Sequence, residues 1–159
     1  MADLLGDGNV KVTFVLTVAD TSAPAAAELN AGTDLQEYIT KDGLAIEPEQ
    51  AAVDNTSLAS RTETEDAGTT KYSIEFTVKR QDTDLGDVGY NTLAPGQLGY
   101  VAIRRNLPHE DAWAAGQAAE VHPVRCGTRR MQPPALNTPQ TFVSKLFNHT
   151  SGDPDAVVA

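Results

Sequence analysis

Residues 71–80, KYSIEFTVKR, decide the fold class. Tyr72, Ile74, Phe76 and Val78 fall on one face, with Lys71, Ser73, Glu75, Thr77 and Lys79 on the other. A period of two is what a half-buried strand requires. The same pattern opens the chain: Val10, Val12, Phe14, Leu16 and Val18 alternate with Lys11, Thr13, Val15 and Thr17. Gly99–Arg105 carries apolar groups on both faces and reads as a central strand. Ala118–Cys126 and Thr141–Phe147 read as two more strands, separated by the proline-rich stretch 131–139. Leu44–Val53 reads as a strand in which Pro48 marks an edge or a bulge. Ser22-Ala23-Pro24 opens a short helix to Asn30, with Ser22 as its cap and Gly32 as its stop. A second short helix is expected within Asp82–Leu93. The expected fold is therefore mainly β: an antiparallel β-sandwich or partial barrel with one or two short flanking helices.

Between the strands, residues 54–70 (DNTSLASRTETEDAGTT) are nearly all polar. They read as a long loop or a hairpin projecting from the body; structureless loops of this length are uncommon and usually functional. The organisation expected is an N-terminal arm over 1–8, one β-sandwich domain over 9–149 carrying that projection, and a flexible C-terminal arm over 150–159.

Charge is sorted along the chain. Residues 1–70 hold 13 acids and 3 bases, whereas 71–159 hold 9 of each, so the whole net charge of -10 arises in the first part. That balance excludes general affinity for nucleic acid or an anionic membrane. It suits a protein that meets copies of itself through unlike patches, since such heterologous contacts build rings and tubes. The acidic candidates are Glu47, Glu49, Asp54, Glu63, Glu65 and Asp66; the basic ones are Arg104, Arg105, Arg125, Arg129 and Arg130. The single cysteine, Cys126, excludes an intramolecular disulfide and leads to the expectation of a reducing cytoplasm. No apolar run approaches transmembrane length, and no basic-then-apolar leader opens the chain.

No catalytic constellation emerges. His109-Glu110-Asp111 are adjacent residues, which converge poorly on one ion, and no HExxH or Cys/His pair supports them. Asp82-Thr83-Asp84 with Asp87 lacks the glycine and terminal glutamate of a calcium loop. There is no G-x-S-x-G elbow, and Gly6-Asp7-Gly8 precedes a strand instead of following one. Glu47/Glu49 and Glu63/Glu65 are spaced to share strand faces, but no aromatic cleft accompanies them as glycoside chemistry would want. Neither a cofactor nor a metal is expected, and the chain reads as a non-enzyme.

Several stretches carry a likeness: SAPAAAELNAGTDLQEYI after the first strand, KDGLAIEPEQAAVDNTSLASRTETEDAG leading into KYSIEFTVKR, LAPGQLGYVAIRR, and EVHPVRCGTRRMQPPALNTPQTFVSKLF. In their order, length and composition the chain resembles the major tail proteins, or tail tube proteins, of long-tailed phages, particularly those of actinobacterial hosts. The resemblance implies a β-sandwich with a flanking helix, hexameric rings stacked into a hollow tube, and an inner sheet shared between neighbours. It implies that arms and one long loop bridge rings; by position, Asp54–Thr70 matches the loop, and Met1–Gly8 and the C-terminal stretch match the arms. The implied partners are copies of the chain together with tape-measure and tail-terminator proteins. DNA would pass through a negatively lined bore without specific binding, in a virion tail assembled in the host cytoplasm. A tube protein of a contractile device shares the fold. The competing expectation is a monomeric β-sandwich binding module for carbohydrate or receptor, for which Trp113 is the only tryptophan available.

Overall fold

The computed structural model describes residues 1–159. Its elements are β1 (Lys11–Val15), α1 (Ala26–Asn30), β2 (Thr33–Asp34), β3 (Ile39–Asp54), β4 (Glu65–Lys79), α2 (Val88–Thr92), β5 (Leu98–Arg104), β6 (Ala118–Met131), β7 (Thr141–Asn148) and β8 (Asp153–Val157). The strands form one antiparallel path, β2-β1-β5-β6-β7-β4-β3, with β8 paired to β6 off that path. The long strand β6 joins two layers. Its first half pairs with β5 (Ile103 opposite Glu120, Leu98 opposite Arg125), and its second half pairs with β7 (Val124 to Met131 against Asn148 to Phe142).

The two layers close on a core built by the alternation visible in sequence. Val12, Phe14, Val101 and Ile103 come from one layer and Ile74, Phe76, Val78, Phe142 and Leu146 from the other, with Leu35, Leu93, Val124 and Cys126 between them. A second cluster lies on the far side of β1 and β5, where Val15, Ala102, Val121, Leu29 of α1, Trp113, Ala156 and Val158 pack together. Gly99 is required where β1 and β5 touch, because a Cβ there would overlap the Phe14 ring.

The second cluster changes two expectations. β1 is buried on both faces, not one. Its polar residues are satisfied inside: Thr13 donates to Asp34 Oδ1 at 2.8 Å and accepts from the Trp113 indole at 3.0 Å. The C-terminal stretch, expected as a flexible arm, instead forms β8. Ala156 and Val158 alternate into the cluster at 1% and 2% exposure, and the amides of Val157, Val158 and Ala159 donate to Ser22, Gln117 and Pro24 carbonyls. Residues 1–8 are exposed and form no strand or helix.

Smaller differences have local causes. Ala25, not Ser22, precedes α1, and the Glu28 carboxylate accepts from its amide at 3.3 Å. α2 shortens to one turn, leaving Leu85 96% exposed. Of the two readings of residues 54–70, the projecting hairpin is the one present: β3 and β4 run out together, and 55–64 form the tip.

Candidate assembly surfaces

The β3–β4 hairpin outruns its support. β7 pairs β4 only as far as Ser73, opposite Phe147. Beyond it the hairpin continues through Glu49/Lys71, Gln50/Thr70, Ala52/Ala67, Val53/Asp66 and Asp54/Glu65 with a bulge before Ala52. That is a free ribbon of about 20 Å. A lone two-stranded ribbon is marginal in water. This one is tied at its tip: Asn55 N donates to Thr64 O at 3.2 Å, Thr64 Oγ1 to Asn55 Oδ1 at 2.7 Å, and Thr56 N to Asp54 Oδ1 at 2.9 Å. The bonds from Thr56 hold the Asp54 carboxyl below its ordinary pKa. At the tip Leu58 is fully exposed, and Val53 is half exposed beside it on the stem.

Asp54 and Glu65 sit directly opposite each other, an unfavourable like-charge pair. None of Glu47, Glu49, Asp54, Glu63, Glu65 and Asp66 has an ion pair within the chain. Their charge is left for solvent or for another molecule.

The basic candidates divide differently. Arg104 is fully buried and serves the fold. It donates to the carbonyls of Pro108, Asp111 and Ala112 and to Gln117 Oε1 at 2.7–3.2 Å, and its guanidinium lies 5.2 Å from the Trp113 ring. Burial pulls its pKa below the usual arginine value, with Asp111 and Asp34 opposing that shift. Arg105 is held by both oxygens of Glu120, at 2.9 and 3.2 Å. Arg129 pins α2, donating to the carbonyls of Leu93 and Tyr90 with its guanidinium 3.6 Å over the Tyr90 ring. Arg104 and Arg129 clamp the fold from within, and Arg105 is paired within the chain at its surface. Arg125 and Arg130 remain exposed and unpaired.

Arg125 and Arg130 share a surface with the acids of β3. In the layer β6-β7-β4-β3, the face turned away from the core follows from register and alternation. It presents Arg125 and Arg130 on β6, Val143, Lys145 and Phe147 on β7, Lys71, Ser73, Glu75, Thr77 and Lys79 on β4, and Ala45, Glu47 and Glu49 on β3. Glu49 stands opposite Lys71 and Glu75 opposite Lys145. This layer has two free backbone edges. One is the outer side of β3; the other is β6 past Cys126, where β5 has ended and only β7 remains paired. Sequence reasoning found the charges but not the edges, nor Leu58, whose only signal was an apolar residue inside a polar run.

The groups with reactive potential are quiet. Cys126 is buried, and burial pushes its thiol up to about 11. His109 meets Glu110 at 3.5 Å and Glu37 at 4.0 Å, and no three metal-ligating side chains converge. Trp113, the one candidate for an aromatic binding platform, is 3% exposed.

The full length, residues 1–159, matches the family model described as phage tail tube protein. No curated protein matches the chain. Among solved structures it is similar to a chain in the cryo-EM structure of the anti-feeding prophage baseplate, 6-fold symmetrised, at 11% identity and a TM-score of 0.55 over 94% of this chain and 95% of that one. At that identity the likeness concerns the fold, and it is the sandwich derived above. The match over the full length shows that this chain belongs to the phage tail tube protein family, a structural, non-enzymatic component of the virion tail.

Proposed function

We propose that six copies of the chain close into a ring and that rings stack into a tube through which the genome leaves the virion. The observation that carries this reading is the β3–β4 hairpin. An ordered ribbon that outruns its sheet, with a fully exposed leucine at its tip and unpaired carboxylates along its stem, is complete only when it lies against another molecule. Six copies per ring accord with the symmetry named for the related baseplate assembly. Tape-measure and tail-terminator proteins are the further partners proposed.

The outward face of the β6-β7-β4-β3 layer is the one suited to a bore, because the far face of β1 and β5 is already covered by α1, Trp113 and β8. That face is not the carboxylate wall expected from sequence. Glu47, Glu49 and Glu75 interleave with Lys71, Lys79, Arg125, Arg130 and Lys145, two of the pairs directly opposed. With three acids against five bases that face is weakly basic, and the two opposed pairs, Glu49–Lys71 and Glu75–Lys145, interrupt its cations. The surplus of acid lies on the hairpin, at Asp54, Glu63, Glu65 and Asp66.

Electron microscopy of the purified chain tests the reading. Rings or tubes with a central bore are expected, and a chain that stays monomeric at every concentration refutes it. A Glu63→Ala/Glu65→Ala/Asp66→Ala variant tests the hairpin; shorter tubes that fall apart at lower salt are expected. Tubes of normal length and salt resistance would remove the hairpin acids from the contact. The binding-module alternative finds no support, because the only tryptophan is buried.

A further inference from the structure

We propose that the contact between His122 and Tyr72 is an acid-sensitive hinge: protonation of His122 frees Tyr72 and loosens the root of the β3–β4 hairpin while the sandwich stays folded. The hinge is a property of the single chain and stands apart from the ring reading above.

Its position comes from the topology. β7 stops supporting β4 at Ser73, opposite Phe147, so Tyr72 is the first residue of the free ribbon. Alternation turns its side chain to the interior with Ile74 and Phe76. There its ring lies 5.0 Å from the His122 ring, tilted by 55°. His122 stands on β6 opposite Val101 of β5, just before β6 takes up its pairing with β7 at Val124. The contact therefore ties the root of the ribbon to the strand that joins the two layers.

The chemistry lies in the imidazole. His122 is 1% exposed, and neither of its ring nitrogens has a partner. The imidazolium form, buried there without an acceptor or a counter-charge, is costly. The charged neighbours do not relieve it. On β6 and β5, Glu120 and Arg105 hold each other at 2.9 and 3.2 Å, and they act on the ring in opposite senses. On β4, Tyr72 presents a neutral phenol, with Lys71 turned outward. On β3, Pro48 stands opposite Tyr72, and Glu47 and Glu49 turn outward beside it. The 149–153 link, whose Gly152 lies so close to the His122 backbone that a Cβ would overlap it, carries His149 and Asp153. None of these groups forms an ion pair with His122. Burial accordingly holds the imidazole below its ordinary pKa.

The surroundings decide which side yields. The strands beside His122 are locked in ladders, with Val101 opposite His122 and Asp153 opposite Val121. The ribbon beyond Ser73 has only its own two strands, and Pro48, opposite Tyr72, has no N–H to give. A lone ribbon is marginal, and local openings are drawn from such weakly supported segments. The charge therefore escapes by displacing Tyr72 before the sandwich opens.

The size of the effect follows from linkage. A solvated imidazole titrates at about pH 6.5, and the open form gains about tenfold for each pH unit below that until the closed form also takes a proton. Between about pH 7.5 and 5.5 the open population rises by up to about tenfold. Ordinary carboxylates titrate at about 4 and stay charged over that range.

Amide hydrogen exchange of the dilute chain, read residue by residue by NMR as protection factors, tests the hinge. The ribbon amides over 49–54 and 65–72 should lose protection several-fold, up to about tenfold, from pH 7.5 to 5.5. That loss should be insensitive to low urea, as a local opening is, whereas exchange in the β1–β5 ladder should rise steeply with urea, as whole unfolding does. His122→Leu should abolish the loss, and His149→Gln should keep it. In the parent chain the His122 ring signals and the ribbon amides should share one titration midpoint, a readout that holds even if His122→Leu does not fold. Ribbon protection that is constant with pH, that falls equally in a folded His122→Leu, that follows the His149 midpoint, or that falls only through urea-sensitive unfolding overturns the hinge. Each of those results leaves the ring reading untouched, because that reading rests on microscopy of the assembled chain.

Discussion

Replacing Arg104 by methionine separates a residue of the fold from a residue of the contact. Arg104 is fully buried, and its guanidinium makes four hydrogen bonds of 3.2, 3.0, 2.7 and 2.8 Å that fasten the 106–117 loop beneath β5. Hydrogen bonds from a charged donor are worth about 1.5–3 kcal/mol each, so the gross loss is roughly 6–12 kcal/mol. Against this, the methionine side chain carries no charge to desolvate, a relief of several kcal/mol. The accepting residues Pro108, Asp111 and Ala112 are exposed, so water can take over part of the bonding. The thioether stem also keeps the contact with Trp113 that a shorter side chain would lose. The expected net loss is about 3–4 kcal/mol, which for a chain of this size lowers Tm by about 10 °C. Differential scanning calorimetry of the dilute monomer reads it. A Tm within about 2 °C of the parent, with assembly abolished, would refute the internal role and return Arg104 to the surface contact.

Burial depresses the pKa of His122, Arg105 adds to the shift and Glu120 opposes it, and neither ring nitrogen has a partner in the structure. A histidine held below its unfolded value contributes its full stability above about pH 6.5 and loses it as the pH falls toward the folded value, because only the unfolded chain then binds the proton freely. Urea titrations from pH 7.5 to 5 should show stability falling on acidification, and His122→Leu should flatten that slope; an unchanged slope refutes the assignment. Leu58→Ser should leave Tm unchanged, since Leu58 is fully exposed, yet weaken stacking by about 1.5–3 kcal/mol at each hairpin contact, read by tube length in electron micrographs. Removing residues 153–159 should cost about 3 kcal/mol by uncovering the pocket of Ala156 and Val158, and a truncated chain with parental Tm would show that β8 does not support the core.

The strands were legible because alternation survives wherever one face is wet. β4 shows it plainly, and its register with β3 and β7 confirms the faces read from sequence. β1 misled, because its second buried face is made of Lys11, Thr13 and Val15. Lys11 looks like a solvent residue, yet its ammonium is 3.5 Å from Asp34 and its stem is covered. β8 was illegible because TSGDPDAVVA is too short and polar to announce a strand; it is ordered by a groove that others build. Arg104 was misplaced by its charge although its position was readable. It shares strand parity with Ala102, and both turn toward Trp113. The free edges left no trace in the sequence, since an unpaired backbone looks the same as a paired one.

The fate of the arginines bears on how an acidic chain can build a dense assembly at all. Copies carrying a net charge of -10 repel one another, which keeps a monomer pool soluble. Three of the five arginines singled out in the basic cluster are engaged within the chain, Arg104 and Arg129 inside the fold and Arg105 at its surface with Glu120. Association must therefore draw its attraction from the exposed bases left without an ion pair, Arg125 and Arg130 with Lys41, Arg61, Lys71 and Lys145, and from the apolar tip. The remaining repulsion is then useful: a wrong approach meets carboxylate against carboxylate, as at Asp54 and Glu65, and finds no compensating base. Because a Debye length of about 8 Å at physiological salt confines each charge to its neighbourhood, the long-range field delays encounter while the local pairs decide which encounters hold. Moderate added salt should therefore hasten assembly of the parent chain by screening the repulsion, and high salt should loosen it by screening the pairs. A rate that only falls as salt is added would mean that net charge is not the barrier, and that attraction governs the approach from the start.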